Sequence, residues 1–219
     1  MEVLTKLTAR LRWQVSGLVA ALVLGANGAV LAQIAPDKLV KSVADDVLAG
    51  LRQDPELKAG SQAKFAELLE QKVAPHFDFE RMARLAVGRG WRQATPEQQQ
   101  ALVEQFRSLL IRSYSSAYTA YKDIAIDVKP VRMQPTDNDV QVRTAIKVPN
   151  GGQAISVDYS MYKAGSDWKI YDVTVEGVSL VTTYRSTFAD EIRQNGVDGL
   201  IKSLREKNSL PGPGTKKQP

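Results

Sequence analysis

The sequence predicts an α+β fold: a curved, four-stranded antiparallel sheet packed by helices from both ends of the chain. Three observations predict it. Apolar residues recur at helical spacing from Pro36 to Tyr121, take up a period of two in four runs between Ile124 and Val175, and return to helical spacing after Gly177. Helices grouped before and after a block of strands are the pattern of segregated layers, not of a strand–helix alternation.

The first helix covers 36–52. Leu39, Val40, Val43, Val47, Leu48 and Leu51 fall at steps of three and four behind Pro36 at the first helical position. A second helix, 61–74, carries Phe65, Leu68, Leu69 and Val73 on its apolar side and ends at Pro75. Asp78 can cap a short third helix with Met82, Leu85 and Val87, stopped by Gly88 and Gly90. The clearest start is Thr95-Pro96-Glu97-Gln98, where Thr95 caps, Pro96 suits the first position and Gln98 completes a capping box. That helix carries Leu102, Val103, Phe106, Leu109, Leu110, Ser113, Tyr114, Ala117, Tyr118 and Tyr121. Unbroken to Tyr121 it is about 39 Å long at ~1.5 Å per residue, enough to span a domain.

Four strands follow. Ile124, Ile126 and Val128 alternate with polar residues; so do Val140, Val142, Thr144, Ile146 and Val148, then Ile155, Val157, Tyr159 and Met161; Trp168 and Ile170 begin the fourth. Asn150-Gly151-Gly152 is a strong hairpin signal and Ala164-Gly165-Ser166-Asp167 a second, so the strands form a meander with one apolar face. In the fourth strand Tyr171, Val173 and Val175 fall in the opposite phase to Trp168 and Ile170, which predicts a segment covered on both sides or twisted. Helices are expected over 181–194 and 197–206, and a disordered tail from Asn208 with Pro211, Pro213 and Lys216-Lys217.

The N-terminus has the order of a secretory signal. Lys6, Arg10 and Arg12 precede an uncharged stretch from Trp13 to Leu31, which closes on Val30-Leu31-Ala32. A retained membrane anchor is the alternative, since the run approaches the ~18-residue spanning length. Asn27 and glycines 17, 25 and 28 weaken it as an anchor. The expected organisation is therefore a signal peptide over 1–32, cleaved near Ala32, one domain over 33–207 and a tail over 208–219. Within the domain, helices occupy 36–121, the sheet 123–176 and helices again 181–206. Removing Lys6, Arg10, Arg12 and Glu2 leaves 26 basic against 23 acidic side chains, a mild net of +3 with no basic block of the nucleic-acid type. The chain has no Cys, so an exported form must hold by its core alone.

Catalytic chemistry has little to stand on. Thiols are absent, and the single histidine, His76, sits beside Pro75 between two helices, the place of a surface or hinge residue. Asp158 lies on the polar phase of its strand; Asp172 and Glu176 lie near the sheet's end. A carboxylate inside a cone-shaped sheet can remove a proton beside a carbonyl, so an isomerase-like enzyme using Asp158 or Asp172 is one alternative. Gly88-Arg89-Gly90 lacks the pattern of a phosphate-cradling loop. We expect no enzyme and no cofactor.

Several segments together resemble one family. They are Pro75-His76-Phe77-Asp78-Phe79, Gly88-Arg89-Gly90-Trp91-Arg92 before the Thr-Pro-Glu-Gln cap, Tyr114-Ser115-Ser116-Ala117-Tyr118, and Trp168-Lys169-Ile170-Tyr171-Asp172-Val173 leading into Glu176-Gly177-Val178-Ser179-Leu180-Val181-Thr182-Thr183-Tyr184-Arg185. In this order behind a signal peptide they resemble the periplasmic phospholipid-binding proteins of the maintenance-of-lipid-asymmetry pathway, the MlaC-like or toluene-tolerance family. The resemblance implies an NTF2-like cone enclosing an apolar cavity, with a diacyl phospholipid held by its acyl chains. It also implies a shuttle between an outer-membrane lipoprotein complex and an inner-membrane ABC transporter, for which a monomer is the default state.

Shielding two chains of ~16 carbons at about 0.8 kcal/mol per CH₂ is worth on the order of 25 kcal/mol, so such a cavity must nearly match a bilayer. A volume of roughly 1,000 Å³ is expected. The candidates for its lining are Leu109, Leu110, Tyr114, Val140, Val142, Ile146, Ile155, Val157, Tyr159, Trp168 and Ile170; Arg89, Arg92 and Arg185 are candidates for the mouth, where a guanidinium meets a phosphate. Glu176 and Tyr184 are expected to orient the turn after the last strand. A lipid-free adaptor with a tight core is the third reading.

Overall fold

Short polar side chains and prolines set where the helices begin. In the computed structural model, which describes residues 34–116, 124–134, 136–148 and 152–210, α1 (Pro36–Gln53) opens on its proline as expected. Asp54 ends it and caps the next turn, α2 (Pro55–Lys58), through hydrogen bonds from the N–H groups of Glu56 and Leu57. Ser61 caps α3 (Gln62–Lys72), and Asp78 caps α4 (Phe79–Val87) by accepting from the Arg81 N–H at 2.8 Å. Before α5 (Pro96–Ser116) the expected capping box is complete: Gln98 N–H donates to Thr95 Oγ1 at 3.3 Å, and Thr95 N–H donates to Gln98 Oε1 at 2.9 Å.

The expected signal peptide, the stretch after Ser116 with Ala117, Tyr118 and Tyr121, the Asn150-Gly151 tip and the tail after Leu210 lie outside the described residues. The one-turn helix α2 and the short 3-10 turns at Ala74–His76 and Gly88–Arg92 have too few residues to leave a periodic signal.

The sheet is open and antiparallel, in the order β1 (Ala125–Val128), β2 (Asp139–Lys147), β3 (Ile155–Ala164), β4 (Asp167–Val175), β5 (Val178–Ser179). It has five strands where four are expected. The fifth is a two-residue strand reached through Glu176 and Gly177, both at positive φ (+49° and +80°), the geometry of a tight hairpin turn. Two residues are too few to register as alternation.

The phase reversal in the fourth strand has a specific cause. Met161 pairs with Ile170 while Ser160 pairs with Asp172, so Tyr171 is an extra residue opposite β3, a β-bulge. Val173 therefore returns to the face that Trp168 and Ile170 occupy, and all three are buried in one core. Tyr171 turns outward, its ring edge-on to Tyr162 at 6.0 Å.

After β5, Ser179 caps α6 (Leu180–Ser209), which is split at Gly196 (φ +69°) into the two helices expected. Its last turn is longer than the sequence predicts. Asn208, expected to begin the disordered tail, is helical and donates through Nδ2 to the backbone oxygen and Oε1 of Gln105, each at 3.0 Å. Side-chain anchoring on α5 overrides the polar composition there.

Three apolar clusters hold these elements. Met82, Ala83 and Ala86 of α4, Leu102 and Phe106 of α5, and Phe188, Leu200 and Leu204 of α6 form a helical core. Val142, Val157, Met161, Trp168, Ile170 and Val173 form a sheet core, covered by Val40 of α1. A small third cluster, Leu57 and Phe65 with Val47, Leu51, Leu68 and Leu69, joins α1 to α3. The expected α+β arrangement of a sheet packed by helices from both ends is present. Among the described residues, no helix is long and apolar enough to cross a membrane.

Candidate functional site

Between the sheet and the helices the clusters leave a cavity of about 380 Å³. Its sheet wall is one end of the apolar face: Ile124, Ile126, Ile146, Ile155, Val157, Tyr159, Val173 and Val175. Opposite stand Val47, Leu48 and Leu51 of α1, Phe65 and Leu69 of α3, and Leu110, Ile111 and Tyr114 of α5. Val73, Ala74, Phe77, Phe79, Met82 and Leu180 complete it. Among the described residues, no lining residue carries a charge, and the only polar side-chain groups in the wall are the hydroxyls of Tyr114 and Tyr159.

Both phenols show what such surroundings do. Burial pushes the Tyr159 pKa up, partly offset by its hydrogen bond with Thr144. The Thr144 Oγ1–H in turn donates to the Val157 carbonyl at 2.7 Å, so this buried polar pair is satisfied within the sheet. Tyr114 straddles the rim. The residue keeps 44% of its surface exposed, yet its phenol lies among packed atoms, and that desolvation, helped by the nearby Tyr184, pushes its pKa up to about 12.

Of the lining expected from the sequence, Leu110, Tyr114, Ile146, Ile155, Val157 and Tyr159 do line the cavity. Val140, Val142, Trp168 and Ile170 share the same sheet face but lie toward its other end, where they pack solidly; Val142 is fully buried. Trp168 also borders a separate hollow with Leu39, Pro75 and His76. Leu109 packs on the helical core instead. Strand phase reports which face a residue occupies but not how far along the strand the packing ends, which is why the expected set is displaced.

The three arginines expected at the mouth are elsewhere. Arg185 donates through Nε to the Leu85 carbonyl at 2.8 Å, closing the end of α4. Arg89 and Arg92 are exposed on the Gly88–Arg92 turn. That turn packs against α6: a Cβ on Gly90 would fall 2.6 Å from Ile192 Cδ1. The glycine-rich motif is thus a packing device, and it carries its arginines away from the cavity.

The carboxylates of the isomerase-like alternative are also outside. Asp158 lies between the lining residues Val157 and Tyr159, so strand alternation turns it to the opposite face, across from Arg143. Asp172 accepts hydrogen bonds from Ser179 Oγ and from the N–H groups of Val173 and Val181, and Glu176 from the Ser156 N–H. Glu176 thus orients the turn after β4, as expected. Tyr184 instead packs with Phe106 and Phe188 in the helical core.

The cavity is smaller than the roughly 1,000 Å³ expected, and its wall includes Phe65, Phe77, Phe79 and three residues of α1 that the expected lining omits. Phe65 and the α1 residues sit on the apolar stripes already legible at 61–74 and 36–52, whereas Phe77 and Phe79 lie on neither.

An open antiparallel sheet and helices enclosing an uncharged apolar cavity define a cavity-bearing α+β protein. Comparison with known proteins narrows this: the MlaC protein family matches residues 41–206, most of the chain, and the chain belongs to that family. A phospholipid-binding protein from Ralstonia solanacearum, solved in complex with a phospholipid, is 41% identical. The likeness covers 79% of this chain and 96% of that one, with a TM-score of 0.72. The toluene tolerance protein ttg2D of Pseudomonas putida is 28% identical over 165 residues, 74% of this chain and 75% of its own. The intermembrane phospholipid transport system binding protein MlaC of Haemophilus influenzae is 23% identical over 184 residues, 83% and 82% of the two chains.

Proposed function

We propose that this chain binds a diacyl phospholipid by its acyl chains in the cavity and carries it through the periplasm between an outer-membrane lipoprotein complex and an inner-membrane ABC transporter. The observation that carries this reading is the lining: among the described residues it is aliphatic and aromatic side chains throughout, with no charged group. Such a wall returns to an acyl chain much of what it loses on leaving a bilayer, about 0.8 kcal/mol per CH₂. Tyr114 marks the mouth, where the head group meets solvent. The phospholipid-bound relative from Ralstonia solanacearum supports phospholipid as the cargo.

In this proposal the mature protein begins near Gln33 after cleavage of 1–32 and acts as a monomer, without a cofactor and without covalent chemistry. The sheet curves as an NTF2-like cone around the chains, a shape that the bulge at Tyr171 favours because bulges bend and twist a strand. The test is native mass spectrometry of the protein purified from the periplasm without detergent, followed by lipid extraction. Near-stoichiometric diacyl phospholipid is expected. A mass of protein alone, unchanged after incubation with phospholipid vesicles, would overturn the reading in favour of the lipid-free adaptor.

A further inference from the structure

Phe77 and Phe79 flank Asp78, and both line the cavity, with ring centroids 5.6 Å apart and planes within 19° of parallel. Phe77 packs against the helical core and the sheet core alike, so it stands where the two solid cores meet. Beside it, Met82 and Val173 are buried while still lining the cavity. The buried neighbours mark the half-buried phenylalanine pair as the packed end of the cavity, and Tyr114, 44% exposed, marks its exposed end. Phe79 is further backed by the Arg107 guanidinium, 5.5 Å from its ring centroid.

The pair is held from outside the cavity. The Asp78 N–H donates to the Ile170 carbonyl at 2.8 Å, and Phe77 forms a parallel bridge with Ile170, so the segment is stitched to the edge of β4. One Asp78 carboxylate oxygen caps α4 through Arg81 N–H; the other accepts from the Tyr162 hydroxyl on the outer face of the sheet. The Arg81 guanidinium lies over the rings of Tyr162 and Tyr171, at 4.3 and 3.7 Å from their centroids. None of Asp78, Arg81, Tyr162 and Tyr171 lines the cavity.

We propose that Phe77 and Phe79 form a stop that sets the acyl-chain length the cavity accepts, and that Asp78, tied to Tyr162, is the positioning residue for that stop. The inference rests on the carrier reading. Aromatic side chains have few rotamers, and these two are packed or braced from behind, so the wall does not yield to a longer chain as a methionine would. The methylenes of a longer chain that the stop holds back are left at the open end, in water.

The experiment incubates the full-length mature protein with vesicles of equimolar dimyristoyl-, dipalmitoyl- and distearoyl-phosphatidylcholine and reads the bound species by native mass spectrometry. Phe77→Ala is expected to relax the preference against the longest chains by about tenfold, the low end of what one misfitting methylene costs. Tyr162→Phe, which leaves the cavity lining intact, should shift the profile in the same direction. The double variant should add nothing beyond Phe77→Ala, because both act through one wall. If Phe77→Ala does not fold, Phe77→Leu carries the same expectation at smaller size. Wild-type protein that takes up lipid while every variant keeps its chain-length profile would overturn the stop and leave the carrier reading standing. Wild-type protein that takes up no lipid would overturn both.

Discussion

The carboxylate of Asp172 accepts a hydrogen bond from the hydroxyl of Ser179 at 2.6 Å, across the turn that joins the sheet to its last helix. The same carboxylate accepts from the Val181 N–H at 3.1 Å and the Val173 N–H at 2.8 Å, so it fixes the end of β4 to the start of α6. A group so engaged orients an element.

Asp172→Ala should therefore lower stability by about 1–3 kcal/mol, the cost of leaving buried donors unpaired. Bound lipid should be unchanged, since Asp172 does not line the cavity. Urea denaturation paired with lipid extraction checks this; a variant of normal stability with no lipid would reverse the assignment.

Leu48 lines the cavity and belongs to none of the three packed cores. Leu48→Asp places a carboxylate against the acyl chains at little expense to the fold, and burying a charge beside apolar groups is strongly unfavourable. Loss of copurifying phospholipid with a native circular dichroism spectrum is expected. Lipid at wild-type stoichiometry would remove α1 from the proposed site.

Phe188 is almost fully buried, with Phe106 at 5.4 Å edge-on and Tyr184 at 5.4 Å. Phe188→Ala should cost about 3–5 kcal/mol through the cavity it leaves. Phe188→Leu should cost clearly less, because it keeps most of the volume. Equilibrium denaturation of both variants measures the difference, and equal losses would argue against a close-packed helical core.

His76 titrates below its ordinary value of 6.5, first because it is partly buried and second because Lys169 lies near, against a smaller opposing effect of Asp167. The folded protein thus binds this proton less tightly than the unfolded chain does. Stability from this group is complete above 6.5 and falls as pH drops from 6.5 to the lowered folded value. The urea midpoint of wild type should fall on acidification through that window, and His76→Gln should show a shallower fall. Parallel slopes for the two proteins would show that His76 is solvated alike in both states.

Much of this protein was legible in local pattern. The Thr95 capping box, the Asp78 cap and the division of the last helix near Gly196 each rest on interactions within a few residues, so the sequence states them directly. The alternation of β2 and β3 likewise told which side chains face inward. It did not tell that the apolar face is solid at Val142 and Ile170 and hollow at Ile146 and Val175.

What the sequence by itself determined was the order of the longer elements, the caps at Thr95 and Asp78 and the inward face of the longer strands, because these depend on spacing and on neighbours along the chain. The phase break in the fourth strand was legible too, though not that a bulge at Tyr171 returns Val173 to the core. Tertiary structure alone decided two things: it brought α1, α3 and Phe77–Phe79 to the cavity wall, and it engaged Arg185 and Gly90 in helix contacts. Each depends on where two distant surfaces stop fitting against one another, and no local periodicity records that distance.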